Sequence, residues 1–187
     1  MKKKIIPTIL ITILTMLTYN VYAFSDIEGH WAKDAILEFN KANIVKGYEN
    51  NEFKPNSYIT RAEVASIINR MNGITKESSK YIPDIKRDDW YYSDIRKAVG
   101  AGIMQGDQNG FINPNSNITR EEAIVMLSRA FLVNDSVVSG NNFIDKDSIS
   151  KWAEKSLNSF ISISFQMFNC TLSKTLTIFI ITFLKYL

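Results

Sequence analysis

The 187-residue sequence has one cysteine, one histidine, four prolines and eight glycines, and each scarcity excludes a class of protein. A single cysteine, Cys170, can form neither an intramolecular disulfide nor a cysteine-rich zinc cluster. With His30 as the only histidine, a metal site built from several histidines is excluded as well. The low proline and glycine content and the 45% of hydrophobic residues exclude collagen-like and disordered classes. We therefore expect a folded chain without a metal or other cofactor.

Acidic residues are absent from the first 25 positions, where Lys2, Lys3 and Lys4 provide all of the charge. These lysines account for the net charge of +3, because the rest of the chain has 19 basic and 19 acidic residues. A nucleic-acid-binding protein needs a basic surface that neutralises phosphates. The balanced charge after residue 23 therefore predicts no nucleic-acid partner.

The amino terminus has the pattern of a secretory signal peptide, covering residues 1–23. Three lysines are followed by the apolar segment Ile5–Thr18, and then by Val21-Tyr22-Ala23. Cleavage is expected between Ala23 and Phe24, which would leave no stable membrane span. The alternative is an uncleaved anchor, because the uncharged run Ile5–Ser25 is 21 residues long.

Two segments of the remaining chain are copies of one pattern. The first repeat covers residues 24–75 and the second covers residues 82–133. Most equivalent residues are 59 positions apart, and they include Trp31 and Trp90, Gly47 and Gly106, Pro55 and Pro114, and Arg61 and Arg120. A third repeat starts at residues 143–158 with Trp152. Such periodicity predicts stacked units of the same supersecondary structure.

Each repeat is predicted to form a helix, a loop and a second helix. Apolar residues follow Trp31 and Trp90 at helical spacing, and Gly47, Gly102 and Gly106 are expected to end the first helices. Asn51 and Gly110 are equivalent loop residues of types that accept a left-handed backbone.

A capping box is predicted at the start of each second helix. Thr60 is followed three residues later by Glu63, and Thr119 is followed in the same way by Glu122. In such a box the threonine hydroxyl and the glutamate carboxylate each accept a backbone N–H that the helix leaves unpaired.

The last segment, residues 159–187, departs from the repeat pattern. It is hydrophobic and divergent, and we expect it to be either the product of a shifted reading frame or a genuine tail that Lys174 divides into short stretches. An incomplete third repeat is expected to expose apolar faces of the second helices, which leads to possible self-association. Those faces contain Ile67, Ile68, Val125, Met126 and Phe131.

The tandem pattern resembles the S-layer homology (SLH) family. The resemblance rests on the Phe-x-Asp start, the following tryptophan, the glycine-bearing loop that ends in Lys-Pro or Asn-Pro, and the Ile-Thr-Arg-x-Glu box. It implies an all-α fold, in which three tandem repeats form a pseudo-threefold spindle around a central helical bundle. Here the third repeat is incomplete.

The resemblance also implies a function and a binding site. SLH grooves bind secondary cell-wall polymers, commonly through pyruvylated N-acetylmannosamine, and so anchor exported proteins to the wall of Gram-positive-type bacteria. We therefore expect a secreted, wall-bound, non-catalytic module. The groove residues that the resemblance implies are Asp26, Trp31, Gly47, Arg61, Asp84, Trp90, Gly106 and Arg120.

The chemistry of these residue types suits an acidic glycan. Arginine binds a carboxylate through two parallel hydrogen bonds, and an indole offers a sugar ring a flat apolar face. The aspartates can accept sugar hydroxyls or orient the arginines, and glycine allows close approach of the backbone. Simpler interpretations are that the tryptophans are core residues and that the aspartates cap the first helices.

Two other kinds of protein are considered beside a wall-binding module. The chain could be the truncated remnant of an S-layer subunit or of a larger surface enzyme that carried these repeats as an anchor. Catalysis by the chain itself is not expected, because its neighbouring acidic pairs do not face each other on a helix. His30 also has no nucleophile at a suggestive spacing.

Overall fold

The computed structural model describes residues 24–131 and 148–167, and it is helical in both ranges. The expected signal peptide with its cleavage site at Ala23, the linker 132–147 and the end of the hydrophobic tail lie outside these residues. A 3₁₀ turn covers Glu49–Asn51. The α-helices are α1 (Lys33–Lys41), α2 (Arg61–Asn72), α3 (Tyr92–Gly100), α4 (Arg120–Ala130) and α5 (Lys151–Met167).

The all-α prediction is confirmed for this part of the chain. The first repeat contains α1 and α2, the second contains α3 and α4, and α5 is the first helix of the third repeat. A single antiparallel bridge between Thr60 and Asn117 is the β-type pairing found within the described ranges. None of the helices described is both long enough and apolar enough to cross a lipid bilayer.

Both predicted capping boxes are present. The Thr60 hydroxyl accepts the backbone N–H of Glu63, and the Glu63 carboxylate accepts the backbone N–H of Thr60 at 2.7 Å. Thr119 and Glu122 form the same pair of contacts at the start of α4, at 3.2 and 2.9 Å. Each box satisfies N–H groups that the first helical turn leaves without an intrahelical acceptor.

The first helices end earlier than the glycine pattern predicts. α1 ends at Lys41, and Asn43 then adopts a left-handed backbone with φ of 58°. In the second repeat the equivalent residue is Gly102, with φ of 73°. The expectation was right for Gly102 and wrong for Gly47 and Gly106, because asparagine also accepts this conformation and ends α1 four residues before Gly47.

One aspartate at the start of each repeat holds the loop that precedes the second helix. The Asp26 carboxylate accepts the backbone N–H groups of Phe53 and Lys54 at 2.8 and 2.6 Å. Asp84 accepts those of Ile112 and Asn113 in the same way, the latter at 2.6 Å. The interpretation as helix caps is therefore wrong for Asp26, because Ala32 is the N-cap residue of α1 and has no side-chain cap.

One hydrophobic core joins the repeats. Its fully buried side chains come from both halves of the chain and include Val64, Ile68, Ile95, Ile103 and Leu127. α2 packs against α3 and α4, and α4 also packs against α5. A smaller cluster of Phe24, Ile27, Ala32 and Ile36 lies beneath the first loop.

The first helix of the third repeat changes the expectation that apolar faces are exposed. Ile68, Val125 and Met126 are buried, although the sequence suggested that an incomplete third repeat would expose them. Since α5 packs along α4, the first helix of the third repeat is present to contact the second repeat. The expected exposure is therefore wrong for these three side chains.

Replacing Asp26 with asparagine is expected to lower the free energy of unfolding by about 0.5–1 kcal/mol at neutral pH, because Asp26 is exposed and solvent screens its charge. Burial opposes ionisation of this carboxyl, but hydrogen bonds from the Phe53 and Lys54 backbone outweigh it and lower the pKa of Asp26. A lowered folded-state pKa contributes stability above the unfolded-state pKa, and this contribution is lost as the pH falls through the folded-state value.

Urea denaturation of the wild type and Asp26→Asn at about pH 7 and about pH 2.5 tests this, since the unfolded aspartate has a pKa near 3.9. The difference between the proteins should shrink at the lower pH. Asp88→Asn, which changes an exposed carboxylate, is the matched control. A difference that is the same at both pH values would contradict the assigned role of the Asp26 charge.

Candidate functional site: a cleft between the two repeats

Arg61 joins the first repeat to the second. Its Nε donates to the carbonyl oxygen of Ile112 at 2.8 Å, and its Nη1 donates to the Glu122 carboxylate at 2.6 Å. Backbone hydrogen bonds run beside this contact, from Arg61 N to Ser116 O and from Ala62 N to Pro114 O. The guanidinium group of Arg61, which was predicted to bind the ligand, thus connects the two repeats.

A cleft of about 630 Å³ is lined mostly by the first repeat, and Trp90 and Asp94 of the second repeat complete its lining. Trp31 of the first repeat and Trp90 of the second both line it. Their side chains are 51% and 63% exposed, so neither tryptophan is a core residue. The structure therefore brings the two predicted indoles together on one cavity, with α1 and α2 as its floor.

Arg70 is the arginine in this cleft, and the sequence analysis did not select it. Its Nε donates to Ile44 O at 2.6 Å, and its Nη1 donates to the Ser66 hydroxyl at 2.8 Å. Burial lowers the pKa of the Arg70 guanidinium, although the nearby Asp94 opposes that shift, and the group remains charged at neutral pH. No acceptor for Nη2 is found among the described residues.

A polar chain crosses the cleft floor from one repeat to the other. The Ser66 hydroxyl, which accepts from Arg70, donates to the Asp94 carboxylate at 2.6 Å. Asn69 donates its amide to the backbone oxygen of Asp94 at 2.7 Å. These hydrogen bonds fix the Arg70 guanidinium relative to α3, the helix that follows Trp90.

The other residues predicted for the groove lie in different surroundings. Arg120 is exposed at the start of α4 and has no side-chain partner in the described part of the chain. Asp26 and Asp84 face the backbone of their own loops. Neither Arg61 nor Arg120 lines the cleft between the tryptophans, and a ligand contact by either stays a prediction.

The two glycines are placed against protein rather than open space. A Cβ atom at Gly47 would lie 2.1 Å from the Phe24 ring and 2.6 Å from Glu52 O. At Gly106 it would lie 2.8 Å from the backbone of Gly110. The close approach that glycine allows here is made by each repeat's own loop, although Gly47 also borders the cleft.

Tyr48 and Glu63 form another wall of the cleft. The Tyr48 hydroxyl donates to the Glu63 carboxylate, and Lys54 Nζ lies 5.1 Å from the centre of the tyrosine ring. Burial and the hydrogen bond to Glu63 raise the pKa of Tyr48 above its ordinary value. The hydroxyl therefore stays protonated and remains a donor to the capping carboxylate.

Acidic and sulfur ligands do not converge in the described ranges, where no three His, Cys, Asp or Glu side chains are placed to hold a metal ion. The cleft instead combines exposed aromatic rings with one anchored guanidinium. This combination can bind a ring-shaped polar ligand that carries a negative charge.

Comparison with known families identifies the two repeats. A family model for the S-layer homology domain matches residues 23–65 and 81–124. These segments contain both tryptophans of the cleft, both capping boxes and both loop-holding aspartates.

Known proteins share the repeats within much longer chains. The chain is 37% identical to an amylopullulanase of Thermoanaerobacterium thermosulfurigenes over 70% of this chain and 7% of that protein. It is 35% identical to exoglucanase XynX of Acetivibrio thermocellus over 70% of this chain and 12% of the relative. It is 33% identical to a surface-layer 125 kDa protein of Lysinibacillus sphaericus over 72% of this chain and 11% of that protein. The shared region is therefore a small part of each relative.

The ion pair between Arg61 and Glu122 is expected to stabilise the protein by about 1–2 kcal/mol, because its side chains are only 14% and 31% exposed. A double-mutant cycle with Arg61→Gln and Glu122→Gln measures this, since glutamine keeps the capping contact.

The matched control is the pair Lys33–Glu28, which has the same 2.6 Å separation but a glutamate that is 78% exposed. Its coupling energy should be below about 0.5 kcal/mol. Equal coupling energies in the two cycles would contradict the connecting role of Arg61.

Proposed function

Because the chain belongs to the S-layer homology family, we propose that it anchors an exported protein to the bacterial cell wall by binding a secondary cell-wall polysaccharide. The binding site proposed is the cleft between Trp31 and Trp90. The observation that carries this proposal is the pair of half-exposed indoles, one from each repeat, on the same cavity.

The exposed indoles support a carbohydrate ligand. Large aromatic side chains are usually buried, and two of them at one cleft mark a binding surface. A sugar ring has an apolar face of C–H groups that can pack on an indole, while its hydroxyls stay hydrated or bond to the indole N–H. Holding the two tryptophans on separate repeats lets the cleft contact a ligand from both sides.

Arg70 supports an acidic group on that ligand. Two hydrogen bonds to the protein already orient its guanidinium, so little side-chain entropy is lost when Nη2 binds an anion. A pyruvyl ketal, whose carboxylate is fixed on the sugar ring, is the terminus that we propose. Lys46, which also borders the cleft, adds positive charge.

Arg61 and Arg120 have different proposed roles. The Arg61 fork is occupied by Ile112 and Glu122, so we propose that it supports the cleft by holding the repeats together. Arg120 keeps its proposed role as a carboxylate-binding residue, because its side chain is exposed and no described residue pairs with it. Asp26, Asp84, Gly47 and Gly106 are proposed to shape the loops around the site.

The module proposed here binds without turnover and acts at the cell surface. Relatives that share the repeats include polysaccharide-degrading enzymes and a surface-layer protein by name. Similar repeats thus occur in proteins of different kinds. We propose that this chain likewise attaches whatever it is joined to, whether a lattice-forming region or an enzyme.

Substituting either cleft tryptophan is expected to weaken attachment to the wall. Trp31→Ala and Trp90→Ala should each raise the Kd of the full chain for purified walls roughly tenfold, because each removes one sugar-packing surface. The Kd is measured by co-sedimentation. Tyr81→Ala, which changes a highly exposed aromatic outside the cleft, is the control. Unchanged sedimentation of both tryptophan variants would contradict the proposed site.

Removing the pyruvyl group from the walls is expected to weaken binding of the wild-type chain. Arg70→Gln should reduce binding to intact walls and should make it insensitive to removal of that group. The double variant Arg61→Ala, Arg120→Ala is measured beside it. If only the double variant becomes insensitive, the carboxylate is bound by Arg120 or Arg61 rather than Arg70. If the wild type itself is insensitive, the proposed terminus is wrong.

A further inference from the structure

Two tyrosines extend the aromatic lining of the cleft beyond the tryptophans. Tyr58 is 76% exposed and Tyr48 is 45% exposed, and both border the same cavity as Trp31 and Trp90. Four exposed aromatic rings on one cavity are more than an isolated sugar ring can contact. Pockets of about 300–1,000 Å³ enclose drug-sized molecules, and the volume of about 630 Å³ lies within that range.

Tyr48 is held in place before any ligand binds. Its hydroxyl donates to Glu63 and its ring lies beside the Lys54 ammonium group, which is 5.1 Å from the ring centre. A cation near an aromatic ring adds attraction of about 0.5–1 kcal/mol at exposed sites. The ring is thus a prearranged surface, and packing a ligand on it costs little side-chain entropy.

The second repeat has no aromatic residue at either position. The residue equivalent to Tyr48 is Asp107, whose carboxylate accepts the backbone N–H groups of Asn109 and Phe111 within its own turn. The residue equivalent to Tyr58 is Asn117, which pairs with Thr60. The tyrosines are therefore not needed for the repeat to fold, and they distinguish the first repeat's side of the cleft from the second repeat's.

From this difference we propose that the cleft binds an extended stretch of polysaccharide, of at least two sugars, rather than the acidic terminal sugar alone. Trp31, Trp90 and Arg70 hold the terminus, and Tyr58 and Tyr48 contact the sugars that follow it. The inference rests on the proposed function and adds the length of glycan that the site recognises. Tyr58 is its specificity-determining residue.

Calorimetric titration with glycans of defined length tests this proposal. The probes are pyruvylated N-acetylmannosamine alone and wall-polysaccharide fragments of two, three and four sugars that end in it. The wild-type chain should bind the fragments at least tenfold more tightly than the single sugar. Tyr58→Asn, which introduces the residue of the second repeat, should remove roughly three- to tenfold of that gain and leave the Kd of the single sugar unchanged.

Tyr81→Asn is the matched control, because it removes an exposed tyrosine outside the cleft and should leave every Kd unchanged. Thermal unfolding verifies that Tyr58→Asn is folded. Equal Kd values for the single sugar and the fragments would overturn the inference while leaving the proposed function intact. If Tyr58→Asn weakened the binding of all probes equally, the inference would also be overturned and the proposed function would still stand. Absence of binding by every probe would contradict the pyruvylated ligand and this inference together.

Discussion

One guanidinium group, that of Arg61, links the two repeats that border the cleft. Arg61 bonds to a loop carbonyl and to the capping glutamate of the next repeat, and these two hydrogen bonds connect helix pairs that have separate loops. A charge that is mostly removed from solvent stabilises a structure only when its hydrogen bonds are well aligned, and here both acceptors lie within 2.8 Å.

A second layer of polar contacts places the groups that face the cavity. The chain from Arg70 through Ser66 to Asp94 crosses from α2 to α3, beneath the indoles. Ser66 is almost fully buried, so its hydroxyl has to both accept and donate within the protein. This requirement couples the orientation of the Arg70 guanidinium to the position of the second repeat. The cleft is therefore a property of the pair of repeats and not of either one.

Sequence reasoning predicted the features that depend on local signals. The all-α fold and both capping boxes are confirmed, and each capping box is encoded within a few residues. Asn51 and Gly110 adopt the positive φ angles expected of them. The end of α1 was misplaced because a glycine was preferred to Asn43 as the terminating residue.

The errors concern contacts between residues distant in sequence. Arg61 meets Glu122 from 61 positions away, and a helix-start motif alone gives no indication of that partner. Arg70 reaches back to the backbone oxygen of Ile44 across its own repeat, 26 positions away, and the residues around Arg70 give no indication of that contact. The burial of Val125 and Met126 could not be foreseen without knowing that α5 packs along α4.

The capping glutamates show that repeats built on one pattern need not be interchangeable. Glu122 accepts the Arg61 guanidinium of the preceding repeat, whereas Glu63 accepts the hydroxyl of Tyr48 from its own loop. If the order of the repeats were exchanged, Glu122 would lose its cation, and Asp107 has no hydroxyl to offer in its place. The contacts of each repeat therefore depend on its position in the tandem array. This dependence limits how such repeats can be reordered or joined.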